Sequence, residues 1–393
     1  MKPFYQNEYQ TLYQGDAREV LPILEPQSVD MIMTSPPFYG LRKYDGEPVV
    51  WDSVDGCQHE WGKSLFEHDS LRFRGQHSTV GSNANPEIHM GKVNSAGNFC
   101  LKCHAWRGML GLEPTPELYI KHLCDIFDLC KRVLKPTGVL FVNIDDSYAG
   151  SWGDSGHRPE RDGIAGTQRG KNTQWLPRQG HPLEVPPTAR VNIPAKSLIG
   201  IPERFVLEML NRGWIRRSTI IWYKGNPMPE SVKDRFTSDF EYLYLFSQQG
   251  DYYFEQQFEP HKDPEDDLRR IRQARENRLK RKANDASKDM SYLETWSIKE
   301  PQINPLGRNK RCVWKINTKP YKHAHFATYP PELCETPIMA GCPVGGTVLD
   351  PFSGSGTTLE VALKLGRKSI GIDISQKYCK LAMKRPAQLG VSL

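Results

Sequence analysis

The sequence lacks the features that would place a protein in a membrane or tie it together with disulfides. Its 393 residues contain no run of 18 apolar residues, so no membrane span is expected. The first seven residues lack the apolar segment of a secretory signal, which favours a cytoplasmic protein. The nine cysteines are odd in number, and without a secretion signal they do not indicate a disulfide framework.

The chain has only a small excess of positive charge. The net charge of +6 and the pI of about 8.7 permit a polyanionic partner but do not by themselves indicate one. Hydrophobic residues make up 38% of the chain and aromatic residues 10%, enough to bury a sizeable core. The length fits one large α/β domain with insertions, or two domains.

Predicted helices and strands alternate along the chain. Residues 28–34 read as a buried strand, and Thr115 with Pro116 begins a helix that Pro136-Thr137-Gly138 is expected to stop. Further strands are predicted over 139–144, 215–223, 239–247, 347–350 and 368–373, and further helices over 204–211 and 358–365. This alternation predicts an α/β fold with a doubly wound, mostly parallel sheet.

Three polar segments do not fit this scaffold. Residues 45–112 are rich in Gly, His, Asn and Cys, residues 149–195 in Gly, Pro, Arg and Gln, and residues 255–310 are charged. We interpret them as insertions that carry recognition or local structure. The scaffold domain is then formed by residues 1–44, 113–148, 196–254 and 311–393.

A glycine-rich loop lies between a predicted strand and a predicted helix, in Asp350-Pro351-Phe352-Ser353-Gly354-Ser355-Gly356-Thr357-Thr358. Glycines let the backbone approach a ligand, and the helix start offers free N–H groups. Asp373 ends the next strand, where an acid can accept hydrogen bonds from a ribose. No Gly-Lys-Ser/Thr follows, so the loop is not a phosphate-binding P-loop, and an adenosyl cofactor without phosphates fits better.

These residues resemble a known family. The loop from Asp350 to Thr358 resembles the cofactor motif of the N4-cytosine/N6-adenine DNA methyltransferases, and Thr34-Ser35-Pro36-Pro37-Phe38 resembles their catalytic motif. The catalytic motif comes first in the chain, which is the permuted order of the β group. The resemblance implies a Rossmann-like sheet of seven strands, S-adenosyl-L-methionine as cofactor and double-stranded DNA as substrate.

The resemblance also implies roles for individual residues. Asp16 would contact the cofactor adenine, Asp373 the ribose, and Asp350 with its loop the methionine part. Residues 325–330 would pack over the cofactor, and Asp146 and Tyr148 would reach the target pocket. The implied cofactor site comprises Asp16, Ala17, Thr34, Phe326, Thr328, Asp350, Pro351, Phe352, Ser353, Gly354, Ser355, Gly356, Thr357 and Asp373.

The Ser-Pro-Pro-Phe motif suits methylation of an exocyclic amine. Such an amine is a poor nucleophile because its lone pair is delocalised into the ring, so hydrogen-bond acceptors aimed at its N–H bonds are needed. Candidates are Ser35 Oγ and the Pro36 carbonyl, and Pro36 and Pro37 stiffen the loop. Phe38 or Tyr39 would stack on a base flipped out of the duplex. The expected catalytic residues are Ser35, Pro36, Pro37 and Phe38.

Other chemistries fit the sequence less well. Cytosine-C5 methylation needs a cysteine after proline, and Cys342 instead precedes Pro343. Enzymes that methylate RNA or protein amides usually carry the cofactor motif first. A zinc-containing DNA-binding module without activity would not need Ser35, Asp350 and Asp373 intact. Ser35 in place of aspartate favours N4-cytosine, with N6-adenine as the alternative.

Two pairs of metal-ligand residues lie in the first insertion. Cys57-x-His59 and Cys100-x-x-Cys103 supply four N/S ligands, the set of a structural tetrahedral zinc site, and His104 or His68 could replace His59. The bland alternative is three incidental cysteines and a surface histidine.

The other two insertions are basic. Eight Lys and Arg residues lie between Arg269 and Lys282, and they indicate either a solvated helix or contacts to DNA phosphates. Residues 149–195 add arginines and glutamines, which can read base edges. The expected DNA-binding residues are Arg269, Arg270, Arg272, Arg275 and Arg178. The expected state is a monomer or homodimer at the nucleoid, with a restriction endonuclease as possible partner.

Overall fold

The computed structural model describes residues 1–40, 47–62, 98–149, 193–194, 196–283, 302–319 and 329–385. Within them, a nine-stranded sheet has the order β1-β2-β13-β12-β3-β6-β8-β7-β11, and two small sheets pair β4 with β5 and β9 with β10. The strands are β1 (Tyr5–Gln6), β2 (Gln10–Gln14), β3 (Val29–Thr34), β4 (Val49–Trp51), β5 (Trp106–Gly108), β6 (Leu134–Ile144), β7 (Ile215–Tyr223), β8 (Phe240–Ser247), β9 (Phe258–Glu259), β10 (Arg308–Asn309), β11 (Val313–Lys315), β12 (Thr347–Asp350) and β13 (Lys368–Asp373).

Seven α-helices lie within the described residues. They are α1 (Ala17–Val20), α2 (Pro116–Val133), α3 (Ile201–Asn211), α4 (Pro264–Ala283), α5 (Pro331–Gly341), α6 (Thr357–Lys364) and α7 (Gln376–Lys384). None of the helices in the described ranges is both long and apolar enough to cross a membrane.

The mostly parallel sheet predicted from the sequence is confirmed. The pairings of β2 with β13, β13 with β12, β12 with β3, β3 with β6 and β7 with β11 are parallel, whereas β8 runs antiparallel to both β6 and β7. Without the two short edge strands, β1 and β11, the described sheet has the seven strands that the resemblance implied.

Strand β3 lies in the middle of the sheet, where it pairs with a strand from the other end of the sequence. Its Met31 and Ile32 pair with Val348 and Leu349 of β12, and its other edge pairs with β6 up to Thr34 and Val142. Since β3, β6, β12 and β13 are parallel, their carboxyl ends meet at one edge of the sheet. The permuted order along the chain therefore leaves the two motifs side by side in space.

Strand β3 also divides the core in two. Val29 and Ile32 point into a cluster that contains the buried side chains of α1, α2 and α3, and Met31 and Met33 point into the cluster of α5 and α6. Alternation of side chains separates Ile32 from Met31 and Met33, whereas Val29 precedes the shift in register and joins the cluster of Ile32. Burial on both faces explains the apolar run from Met31 to Met33.

Helix α2 begins as expected but ends earlier. Thr115 caps it, because its Oγ1 accepts a hydrogen bond from the Leu118 N–H at 3.2 Å. The expectation that Pro136-Thr137-Gly138 stops the helix is wrong, since the helix ends at Val133 and these residues lie inside β6. The strand accommodates the proline at an irregularity, where the register with β3 shifts after the pair of Val29 and Leu134.

The first insertion reaches into the main core. Trp51 of β4 and Trp106 of β5 are buried in the cluster that contains α2, and their rings flank the buried ring of His122, at centroid distances of 4.4 and 5.6 Å. The polar composition of residues 45–112 gave no sign of this packing. The β4–β5 hairpin is thus attached to the scaffold by its aromatic side chains.

Gly356 offers a test of how α7 is docked. A Cβ at Gly356, whose φ is +83°, would lie 2.8 Å from Ala382 Cβ in α7, whereas one at Gly345, whose φ is +78°, would meet nothing within 4 Å. We expect Gly345→Ala to lower the free energy of unfolding by about 1 kcal/mol, through backbone strain alone. Gly356→Ala should lower it by about 2–4 kcal/mol, because overpacking is added. Urea denaturation of both variants checks this, and equal losses would contradict the close helix contact.

Candidate active site

A cavity of about 880 Å³ lies at the sheet edge where β3, β6, β12 and β13 end. Residues of both predicted motifs line it, so the two motifs share one space. From the predicted catalytic motif the lining includes Ser35, Pro36, Pro37 and Phe38, and from the predicted cofactor site Asp16, Ala17, Pro351, Phe352, Ser353, Gly354, Ser355, Thr357 and Asp373.

Asp373 ties the glycine-rich loop to the end of β13. Its Oδ2 accepts a hydrogen bond from the Gly354 N–H and its Oδ1 one from the Ser375 N–H, both at 2.8 Å. Burial raises the pKa of Asp373 to about 6, and these two N–H groups oppose that rise. The nearby Ser353 Oγ is buried and has no hydrogen-bond partner among the described residues. A polar ligand in the cavity would satisfy this hydroxyl.

Three residues of the predicted cofactor site are not part of the cavity lining: Thr34, Asp350 and Gly356. Asp350 is fully buried and accepts hydrogen bonds from Thr34 Oγ1 at 2.6 Å, Thr358 Oγ1 at 2.7 Å and Tyr329 Oη at 3.1 Å. Burial raises its pKa, and the donors partly offset the rise. Asp350 therefore joins β12 to β3 and α6 behind the cavity. Phe326 and Thr328 lie outside the described residues.

Asp16 is oriented by an arginine. The Asp16 carboxylate caps α1 by accepting from the Arg18 N–H at 2.9 Å, and it also pairs with the Arg18 guanidinium at 2.5 Å. That guanidinium lies 3.7 Å from the centre of the Trp51 ring and donates to the Val50 carbonyl. The carboxylate that lines the cavity is thus fixed through the β4–β5 hairpin.

A hydrogen bond to Asn143 fixes the Ser35 hydroxyl. The Asn143 Nδ2 group donates to Glu241 Oε2 at 2.9 Å and to the Tyr242 carbonyl at 3.0 Å, so both of its protons are used. Asn143 Oδ1 must then be an acceptor, and Ser35 Oγ donates to it at 3.1 Å. With its only proton turned towards Asn143, Ser35 Oγ presents acceptor lone pairs to the cavity.

The rest of the Ser-Pro-Pro-Phe loop is held from behind. Tyr119 Oη donates to the Pro37 carbonyl, and the Gly40 N–H donates to the Gly111 carbonyl, both at 2.8 Å. The Gly111 N–H in turn donates to the buried Glu113 carboxyl at 2.7 Å. Tyr119 thus holds the Pro37 carbonyl, and the Pro36 carbonyl stays the acceptor predicted from the sequence.

The aromatic residues that follow the prolines have different places. Phe38 is half-buried and lines the cavity, whereas Tyr39 is fully buried in the core beside Tyr119, with ring centroids 5.4 Å apart. Of the two residues considered for stacking on a base, only Phe38 is accessible from the cavity.

Asp146 and Tyr148 both line the cavity, but the Asp146 carboxylate already accepts backbone hydrogen bonds. Its carboxylate accepts from the N–H groups of Gly200 and Ile201, at 2.9 and 3.0 Å, and so caps the start of α3. Tyr148 carries the Arg235 guanidinium 4.2 Å from its ring centre.

Sequence reasoning did not single out Asn143, Tyr119 or Glu113. Asn143 had a visible signal, since it is the one polar residue in the apolar run Val139-Leu140-Phe141-Val142-Asn143-Ile144. A lone amide in a buried strand must find partners, and here the partners are Ser35 and Glu241. Tyr119 gave no such signal, because its partner, the Pro37 carbonyl, lies far away in the sequence. The partners of Glu113, the Gly111 N–H and His122, are close in the sequence, but only the fold shows that this carboxyl is buried.

The four predicted metal ligands come together. The ligand atoms of Cys57, His59, Cys100 and Cys103 lie within 4.8 Å of one another. Cys57 Sγ is 3.9 Å from Cys100 Sγ, and Cys103 Sγ is 3.4 Å from His59 Nδ1. Ligand atoms around a tetrahedral zinc ion are about 3.5–3.8 Å apart.

The outer partner of His59 also suits a metal ligand. His59 Nε2 lies 3.1 Å from Ser53 Oγ, which leaves Nδ1 turned towards Cys103. His104 is outside the cluster and forms the turn after Cys100, with its N–H bonded to the Cys100 carbonyl. His68 lies outside the described residues.

The predicted DNA-contacting arginines lie on α4, apart from Arg178, which is outside the described residues. Helix α4 follows β9, and its first turn is acidic. Asp266 forms ion pairs with Arg269 and Arg270, whose side chains are nevertheless 80% and 77% exposed. Arg272 is exposed and Arg275 is partly exposed. These residues form a basic surface rather than part of the core.

Comparisons with known proteins agree with this fold. A family model described as "DNA methylase", for N6 and N4 methyltransferases, matches residues 29–384. The chain is 31% identical to the Type II methyltransferase M.SmaI of Serratia marcescens over 94% of this chain and 88% of that protein. It is 29% identical to M.Cfr9I of Citrobacter freundii over 95% and 87% of the two chains.

Among solved structures, the PvuII DNA methyltransferase, titled as cytosine-N4-specific, has the same fold. Its TM-score is 0.50 and its sequence identity 15%, with 98% of this chain and 88% of that chain covered. The family match and the relatives cover most of the sequence, including the Ser-Pro-Pro-Phe loop and the glycine-rich loop. The chain therefore belongs to the N6/N4 family of DNA methylases and is a DNA methyltransferase.

Proposed function

We propose that this methyltransferase transfers a methyl group from S-adenosylmethionine to the N4 amine of cytosine in double-stranded DNA, at a specific site. The observation that carries the proposal is the orientation of Ser35, whose hydroxyl proton is held by Asn143. The cavity then offers acceptors to an amine, and a base in a duplex has to flip out to reach them.

The acceptors at the cavity match what an aromatic amine needs. Ser35 Oγ and the Pro36 carbonyl can each accept one N–H of the target amine, which draws the nitrogen towards a tetrahedral geometry. Phe38 can stack on the face of the extruded base. Ser35, Pro36, Pro37 and Phe38 thus bind and orient the amine, and Asn143 positions Ser35.

The other half of the cavity suits S-adenosylmethionine. When bound, this cofactor supplies an electrophilic methyl group. Asp373 would accept the ribose hydroxyls, Asp16 would face the adenine, and the loop around Ser353 and Gly354 would hold the methionine part. The buried Ser353 hydroxyl, which lacks a partner among the described residues, supports a polar ligand there.

The choice of cytosine over adenine rests on Ser35. Ser-Pro-Pro in place of Asp-Pro-Pro favours N4-cytosine within the family that the chain resembles. The name of the PvuII methyltransferase, which shares the fold, agrees with this choice. Adenine N6 is the alternative, because both amines present similar geometry to the same acceptors.

We further propose a division of labour among the segments. Residues 1–44, 113–148, 196–254 and 311–393 form the catalytic domain, residues 45–112 a zinc-binding insertion, and residues 149–195 and 255–310 the target-recognition insertions. The exposed arginines of α4 support DNA contact at the last segment. The similarity to Type II methyltransferases supports a role beside a restriction endonuclease.

The cluster of Cys57, His59, Cys100 and Cys103 supports a structural zinc ion. Four N/S ligands without an acidic or open position are typical of structural rather than catalytic zinc. Residues 52–60, which lead from β4 into the cluster, are mostly exposed, so a metal would order this outer part of the β4–β5 hairpin.

We expect Ser35→Ala to lower kcat on the order of 100-fold, because the amine loses a placed acceptor. Cofactor affinity should change little, since Ser35 follows β3 whereas Asp373 ends β13, two strands away in the sheet. Transfer of tritiated methyl groups to duplex DNA, together with calorimetric titration of the cofactor, checks both expectations.

Ser28→Ala, at the opposite end of β3, is the matched control and should keep full turnover. Absence of transfer to any DNA by the wild-type protein would refute the proposed function. Loss of cofactor binding in Ser35→Ala would contradict the role given to Ser35.

The purified protein should contain about one zinc ion per chain. Cys103→Ser should lose most of it, whereas Cys312→Ser, an exposed cysteine outside the cluster, should retain it. Elemental analysis by mass spectrometry measures the ratio. Equal zinc contents in the two variants would show that these four residues do not form the site.

A further inference from the structure

A polar wall lies beside Ser35 in the same cavity. Strand β6 runs parallel to β3, so Asn143 stands next to Ser35, and Asp145 comes one residue after β6 ends. Strand β8 runs antiparallel to β6, with Ile144 opposite Tyr242, which places Glu241 across from Asp145. The four residues Ser35, Asn143, Asp145 and Glu241 all line the cavity, and so does Lys224.

Glu241 in this wall is already paired. It forms an ion pair with Lys224 at 2.5 Å and accepts a hydrogen bond from Asn143 Nδ2 at 2.9 Å. Asp146, next to Asp145 in the chain, is occupied at the start of α3. The single lysine of the wall is therefore already paired with Glu241. The other charged groups next to Asp145 are the acids Glu241 and Asp146.

Asp145 is the carboxyl group without a cation of its own. Among the described residues its only hydrogen bond is with the Asp146 N–H, which Oδ1 accepts at 2.9 Å. The charged and titratable groups around it are Glu241, Asp146, Lys224 and Tyr242. Burial, and next the charge of Glu241, raises the pKa of Asp145 to about 7. A substantial fraction of Asp145 is then protonated at neutral pH and can donate a hydrogen bond.

The target base needs such a donor. Cytosine and adenine both carry a ring nitrogen beside the amine, N3 or N1, which accepts a hydrogen bond, whereas thymine and guanine carry an N–H at that position. Ser35 Oγ and the Pro36 carbonyl are acceptors and serve the amine. Both Asn143 protons are used within the wall. The wall therefore lacks an amide donor for the ring nitrogen.

We propose that Asp145 contacts the flipped base and donates a hydrogen bond from its carboxyl group to the ring nitrogen beside the target amine. This contact selects bases with an acceptor at that position and excludes thymine and guanine. The proposal rests on the amine methylation proposed above and adds the residue that reads the edge of the base.

The test removes the acceptor from the base and the donor from the protein. The substrate is a duplex that carries the site methylated by the wild-type enzyme, with either cytosine or 3-deazacytosine as the target (adenine or 1-deazaadenine if the target is adenine). We expect the deaza base to lower the wild-type kcat/KM on the order of 10-fold, as loss of a hydrogen bond to the base does. Asp145→Ala should act on the natural base with a similarly lowered kcat/KM and show no further loss with the deaza base.

Asp145→Asn is the matched variant, because its amide can donate at every pH. It should keep most of the activity and the full penalty for the deaza base. The wild-type kcat/KM should fall as the pH rises through about 7, since Asp145 then loses its proton, and the fall should be absent in Asp145→Asn.

Two results would overturn the proposal. One is an equal penalty for the deaza base in Asp145→Ala and the wild type, and the other is a wild-type rate that rises through pH 7 and depends on Asp145. Cofactor titration of Asp145→Ala verifies that the variant is folded. Failure of the wild-type enzyme to methylate the natural duplex would instead refute the proposed function.

Discussion

The pairing of β3 with β12 on one edge and β6 on the other is the constraint on which the site depends. It brings residues from opposite ends of the chain to one sheet edge, with Thr34 bonded to the buried Asp350. The loop that follows β3 then lies between the glycine-rich loop and the end of β6. A methyl donor and a target base in this cavity would meet beside Ser35. The strands paired on both sides of β3 fix the position of Ser35, because it directly follows β3.

The direction of one proton follows from the next pairing in the sheet, that of β6 with β8. The backbone carbonyl of Tyr242, fixed in β8, holds the amide of Asn143, and that amide decides where the Ser35 proton points. A serine hydroxyl can donate or accept, so its role is not defined by its identity. Here the sheet makes it an acceptor towards the cavity, and a buried amide held by Glu241 and the Tyr242 carbonyl supplies this preorganisation.

The sequence allowed prediction of the elements whose signals are local. The run that forms β3, the cap at Thr115 and the loop between β12 and α6 were identified because each depends on neighbouring residues. The four metal-ligand residues were also identified, since two close pairs are a local signal. The end of α2 was predicted too late, because Pro136 is accommodated by an irregular pairing with β3 that only the sheet reveals.

Features that depend on distant partners could not be predicted. Asp350 was expected to hold a cofactor because of its motif, yet its hydrogen bonds connect it to Thr34 and Thr358 behind the cavity. Gly356 was grouped with the ligand-approach glycines, whereas its lack of a Cβ lets α7 pack against it. Asp145 was not singled out, because its environment is created by Glu241 and Lys224 on other strands.

The measurement that tests the central claim most directly is mass spectrometry of nucleosides from the DNA of cells that express the protein, compared with cells that express Ser35→Ala. If Ser35 accepts a hydrogen bond from the cytosine amine, the wild type will produce N4-methylcytosine and the variant little or none. N6-methyladenine alone would contradict the choice of base, and equal methylation by both proteins would contradict the role of Ser35.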